Sequence, residues 1–149
     1  MIRVQEAPFD AGTEQQTLLA GRTDIGAVVS FTGLVRDFNE HPEVSALTLE
    51  HYPGMTESAL EAIVEEARGR WSLDAVTVIH RVGRLAPGDP IVLVVVASAH
   101  RRAAFEACDF IMDYLKTRAP FWKKEHSGDG DYWVSERDSD HLDARRWEA

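Results

Sequence analysis

Residues 110–125 read FIMDYLKTRAPFWKKE, and how this stretch folds decides how the chain is built. On its approach, Ala104, Cys108, Ile111 and Leu115 recur at steps of four, three and four, which is one face of an amphipathic helix. Pro120 lacks an amide hydrogen and disfavours the α region at Ala119, so the helix is expected to end near Thr117 or Arg118, with Lys116 in its last turn. Beyond the break, Phe121, Lys123 and Glu125 alternate with Trp122, Lys124 and His126, the period of a strand. Two lysines, Lys116 and Lys123, therefore flank an aromatic corner.

Lys116, Arg118, Lys123 and Lys124 gather in this short stretch of a chain whose formal net charge is −9. Each has an ordinary explanation: cations suit a helix C-terminus because of the dipole, and strand lysines face water or protect an edge. Together they also fit a reactive amine, because neighbouring cations or partial burial lower a lysine pKa and expose its lone pair. The pattern itself names no reaction.

Working outward, Ser127 to Asp131 (SGDGD) is a turn leading to Tyr132, Trp133 and Val134, so a C-terminal hairpin with the strand at Phe121 is expected. The tail from Asp138 to Ala149 has weak periodicity and is expected to be partly ordered only on assembly. Before the long helix, Ile91 to Ala97 is a continuous apolar run of strand length, as suits the middle of a sheet. It is too short to span a bilayer as a helix. Ser98 can cap the helix that follows. His100, Arg101 and Arg102 then sit against the positive end of its dipole, where bare cations are disfavoured. Two readings stand: an anion site built on the free amides of a helix N-terminus, or arginines that pair with Glu106 one turn on.

Further back, Ala75 to His80, Val44 to His51 and Ile25 to Thr32 read as strands, and Ile2 to Gln5 as a short one. Asp10 or Thr13 can cap a helix ending at Gly21, and Thr56 one running from Glu57 to about Gly69 on the stripe Leu60, Ile63, Val64 and Ala67. Arg36 follows a strand end, where sites collect on loops held by a rigid scaffold, and residues 37–43 form a polar loop. The expected fold is a single α+β domain over residues 1–149, with helices packed on a mixed or antiparallel sheet.

Composition narrows the function. An acidic chain with a pI near 5.1 does not suit general nucleic-acid binding, so local cations must serve small or local anions. A lone cysteine on an apolar helical stripe reads as a core residue and suits a reducing cytoplasm. No secretory leader is read at the start. The six histidines show no zinc spacing and the ten glycines no dinucleotide or P-loop pattern, so neither metal nor cofactor is expected.

The run SAHRRAAFEACDFIMDYLKTRAPFWKKE, with FTGLVRD, LTLEHYPGMTE and VIHRVGRLAPGD before it, resembles the large catalytic subunit of molybdopterin synthase, the MoaE family. The likeness covers about residues 25–137. It implies a hammerhead-like α+β fold and a sulfurtransferase that converts cyclic pyranopterin monophosphate into the molybdopterin dithiolene. Sulfur would come from the thiocarboxylated C-terminal glycine of a small ubiquitin-like partner. Two catalytic subunits would pair centrally, with a partner at each end. By position, Lys116 and Lys123 match the family's catalytic lysines, Arg36, His100 and Arg101 its anion-binding residues, and Phe31 and Arg137 further pocket residues. Two other readings remain: a noncatalytic module that docks an acidic C-terminus, and an unrelated phosphometabolite enzyme that works alone.

Overall fold

The apolar run at 91–97 is buried along its whole length because both of its faces are covered. It lies in β6 (Pro90–Ser98), between β4 (Ala75–Arg81) and β2 (Ala27–Leu34), with β1 (Ile2–Gln5) beyond β4, in a sheet ordered β1-β4-β6-β2. The β1–β4 pair is parallel and the other two pairs antiparallel. Alternation along β6 separates two cores, as the two-residue period of a strand requires. Val92, Val94 and Val96 join the main cluster under α2 (Met55–Arg70) and α3 (Arg101–Arg118). Leu93 and Val95 meet Ile79 on the opposite face, under Phe9, Ala11 and Leu18 at α1 (Ala11–Leu19).

This computed structural model describes residues 1–36, 44–127, 130–134 and 138–148. The loop expected at 37–43 and Arg137 lie outside the described residues. The expected α+β fold is present, with its strands divided between two sheets. A second, antiparallel sheet is ordered β5-β3-β7-β8 from β3 (Val44–His51), β5 (Gly83–Leu85), β7 (Phe121–Ser127) and β8 (Gly130–Val134). Its Leu47, Leu49 and Leu85 close onto the same main core. The C-terminal hairpin is the β7–β8 pair. No helix among the described residues is long and apolar enough to cross a membrane.

The helix ends follow local chemistry, with two corrections. Asp10 caps α1, its carboxylate accepting from the Thr13 amide at 2.9 Å. Thr56 is not a cap, because α2 begins one residue before it, after Gly54, whose φ of 86° is open to glycine. The Thr56 hydroxyl is instead buried and holds two backbone groups. Ser98 is likewise not the residue at the helix boundary. His100 occupies that position, while the buried Ser98 hydroxyl accepts from the His100 amide at 3.4 Å and donates to the Ser72 carbonyl at 2.8 Å. Gly26 lies against this entry to α3, where a Cβ would fall 2.2 Å from the Ala99 carbonyl oxygen, so only glycine fits.

The C-terminal tail is also better ordered than its pattern suggests. Residues Asp138–Arg145 form α4 within the single chain. What anchors it is polar and distant in sequence. The Arg146 guanidinium donates to Asp109 and Asp113, both at 2.6 Å, and the Trp147 indole nitrogen donates to Asp113 at 2.6 Å. The Trp147 ring packs edge-on against Trp71 and Phe110. At the opposite terminus, the Met1 ammonium donates to the Val76 carbonyl at 2.6 Å and seats β1 beside β4.

Candidate active site

The helix ends at Arg118 as the proline requires, and Ala119 turns into extended backbone with its amide still bonded to Leu115. The Phe121 amide bonds to the Ala119 carbonyl at 2.9 Å, and β7 starts at once. Its register on β3 pairs Phe121 with His51 and Lys123 with Leu49. Lys116 in the last turn and Lys123 on the strand both remain exposed on either side of this corner.

Between them lies a residue that the sequence pattern did not single out. His80, near the end of β4, is 4% exposed and its ring stacks on Phe121, with centroids 3.9 Å apart and planes at 22°. Burial first, and then the positive charges of Lys116, Lys123 and His51, hold its pKa down to about 3, so the ring is neutral at any physiological pH. His80 thus lies behind Phe121 at the corner, within the electrostatic reach of both lysines and of His51. A histidine at the alternation of Val76 and Val78 was the only available signal, and such residues usually serve packing alone.

The remaining cations of the corner separate by role. Arg118 is structural: it pairs with Glu66 at 2.8 Å and covers the Tyr114 ring at 3.6 Å. Arg36 is exposed just past β2 and has no ion pair among the described residues. Leu34 pairs with Pro90, so Arg36 stands at the end of the sheet where β6 begins. His80 pairs with Val92 at that same end. Because α3 turns back over β6 after only two residues, its C-terminal turn with Lys116 returns there as well.

His100 and Arg101 lie at the other end. Ala27 pairs with Ser98 there, and the fifteen-residue step from Arg101 to Lys116 along α3 amounts to roughly 22 Å of helix rise. The two arginines differ in their surroundings. Arg102 pairs with Glu106 at 3.6 Å, whereas Arg101 makes no ion pair among the described residues and stays exposed beside His100. Cys108 supplies no chemistry. It is buried, and burial pushes its thiol up to about 12.

A shallow groove of about 370 Å³ opens away from the lysines, between β2 and the middle of α3, and Phe31, Phe105 and Met112 help to line it. Phe31 is 41% and Phe105 62% exposed, and Leu34 on the same strand is 56% exposed. Among the described residues β2 pairs with β6 only, so its outer side is an open sheet edge flanked by apolar side chains.

Comparison with known proteins gives this arrangement a family. The model of the MoaE protein family matches residues 4–118, most of the chain, ending before the β7 lysine. The molybdopterin synthase catalytic subunit of Pseudomonas aeruginosa is 60% identical over 147 residues, covering 99% of this chain and 98% of that one. The protein of the same name from Escherichia coli K12 is 62% identical over 146 residues, covering 98% and 97%. Among solved structures, a molybdopterin biosynthesis MoaE protein from Burkholderia ambifaria superposes with a TM-score of 0.86 at 50% identity, covering 100% of this chain and 98% of that one. Molybdopterin synthase from Staphylococcus aureus superposes with a TM-score of 0.82 at 31% identity, covering 89% and 95%. With identity of this depth over nearly the whole length of both chains, and the family model matching most of the sequence, the chain belongs to the MoaE protein family.

Proposed function

We propose that this chain is the catalytic subunit of a molybdopterin synthase, a cytoplasmic sulfurtransferase acting on cyclic pyranopterin monophosphate. The observation that carries the reading is the pair of exposed lysines on either side of the Pro120 corner, in a chain whose only thiol is buried. A protein that moves sulfur without an accessible thiol of its own must borrow it. The donor is the thiocarboxylated C-terminus of a small ubiquitin-like subunit, and the relatives' description as a catalytic subunit fits such a division of labour.

The charges suit both reactants. A thiocarboxylate is an anion, the precursor carries a phosphate, and clustered cations on an otherwise acidic chain attract each of them. Once the sulfur is bonded to the pterin side chain, the acyl carbon–sulfur bond must break. Water supplies the oxygen, and the partner leaves as a carboxylate. Lys116 serves at that carbonyl as acid, base or transient nucleophile, and Lys123 assists; a lysine can do this because its ammonium form gives up a proton and its amine form takes one or attacks, whereas a guanidinium stays protonated. Arg36, His100 and Arg101 hold phosphate, and Phe31 and Arg137 border the pterin.

These residues do not meet within one copy, since about 22 Å of helix separates Arg101 from Lys116. A two-fold pairing of copies along the open edge of β2 resolves this. Antiparallel alignment sets the Arg36 end of one strand beside the Ala27 end of the other, next to the second copy's His100 and Arg101. The exposed Phe31, Leu34 and Phe105 would be covered in the same step. Each site is then shared by two copies, with a small subunit at each outer end.

The test is direct. The pure protein, a thiocarboxylated ubiquitin-like protein and the precursor should together yield the dithiolene product, and omission of any one should abolish it. Turnover of a phosphorylated metabolite without a protein partner would overturn the reading. A bare docking module would bind the partner and form no product.

A further inference from the structure

Val76 and Val78 of β4 and Val82 just beyond it all enter the main core, and His80 stands at the same alternation where an aliphatic residue would complete the stripe. An imidazole tolerates such a place only when neutral and hydrogen-bonded. The Nδ1 atom lies 2.8 Å from the Arg81 carbonyl oxygen. A carbonyl can only accept, so Nδ1 carries the hydrogen and the lone pair is at Nε2. One bond thus fixes both the tautomer and the plane of the ring.

That plane is the surface on which Phe121 rests. Phe121 opens β7 two residues before Lys123, and residues two apart on a strand share a face, so the orientation of Phe121 sets that of Lys123. Lys116 approaches from the last turn of α3, and its charge is felt at the same ring. Thr56 clasps the corner from the other side, donating to the Pro120 carbonyl.

We infer that His80 is a positioning residue for the two-lysine site: its backbone-anchored ring is the floor on which Phe121 seats, and through it the spacing of Lys116 and Lys123 is set. The inference rests on the sulfur-transfer reading for its kinetic consequence but not for its geometric one. His80 need not touch substrate. Its flat face and fixed plane are what matter.

Two variants separate this role from simple core filling. His80→Leu keeps an apolar core residue of similar bulk and loses the stacking face, whereas His80→Phe keeps the face and loses both nitrogens. The first readout is the yield of an intramolecular Lys116–Lys123 cross-link with disuccinimidyl glutarate, mapped by mass spectrometry on folded protein. The second is steady-state kinetics with the thiocarboxylated partner and precursor. His80→Leu should lower the cross-link yield and cut kcat by about ten- to a hundred-fold, with KM little changed, as expected for a small displacement of reacting groups. His80→Phe should recover most of both. Wild-type cross-linking and kcat in folded His80→Leu would overturn the inference, as would a His80→Phe variant no better than His80→Leu. If the wild-type protein makes no dithiolene product, the sulfur-transfer reading fails, and the cross-link comparison still decides the role of His80.

Discussion

The Thr56 hydroxyl, in the first turn of α2, donates to the Pro120 carbonyl at 3.3 Å while accepting from the Tyr52 amide at 3.1 Å. Two backbone groups from segments far apart in sequence are thereby satisfied by one buried side chain, and the corner between α3 and β7 is tied to α2. Thr56→Val keeps the shape and strands both partners, which should cost about 1–3 kcal/mol. Denaturant unfolding checks this, and a change below a few tenths of a kcal/mol would mean that the hydroxyl carries no weight.

Lys116→Ala and Lys116→Arg should both nearly abolish dithiolene formation while the variants still fold and bind the small subunit. Lys123→Ala should be impaired but less so. Arginine stays protonated at any working pH, so it keeps the charge and loses proton transfer and amine chemistry. Near wild-type turnover in Lys116→Arg would make Lys116 a docking charge.

The two arginines at the start of α3 should behave differently. Arg101→Ala, like Arg36→Ala, should raise KM for the precursor more than it lowers kcat, as loss of a phosphate contact does. Arg102→Ala removes only an exposed pair with Glu106, worth about 0.3–0.5 kcal/mol, and should leave KM unchanged. Steady-state titration of the precursor distinguishes them.

A shared site also predicts complementation. Lys116→Ala and Arg101→Ala homodimers should each be poorly active, yet remixing after dissociation should restore activity approaching about a quarter of wild-type sites, because a mixed two-fold dimer carries one site with neither lesion. No recovery in exchanged dimers would place both residues in the site of a single copy.

His80 also predicts an acid limit to stability. Its folded pKa is held to about 3 by burial and by Lys116, Lys123 and His51, against an ordinary value of 6.5. Between these values the unfolded chain takes up a proton that the folded chain refuses, so stability is full above about pH 6.5 and declines as pH falls toward 3. His80→Phe should lose stability less steeply over that window in matched thermal melts. Equal slopes would show that carboxylates alone govern the acid side.

Much of this was legible because local covalent rules dominate it. Pro120 ends the helix wherever the fold places it, and the period change from Leu115 to Phe121 announces helix, corner and strand. What was not legible depends on pairing. Nothing local in Ala27–Leu34 says that it runs antiparallel to β6, and that register alone separates Arg36 from His100 and Arg101. The division into two sheets is hidden for the same reason. Helix α4 escaped notice because its hold comes from Arg146 reaching Asp109 and Asp113 on α3, contacts that no periodicity encodes. His80 escaped because one imidazole among valines looks like packing until Phe121, far along the chain, is seen lying on it.

The parallel seating of Ile2–Gln5 against Val78–Arg81 bears on how the molecule is made. Strand β1 is bonded, through Met1, to a residue 75 positions later. At about 5–20 residues per second, roughly 4–15 s pass before its mate is synthesised. Nascent β1 has no β4 to pair with through that interval, so this parallel pairing closes only after α1, β2, β3 and α2 have been made.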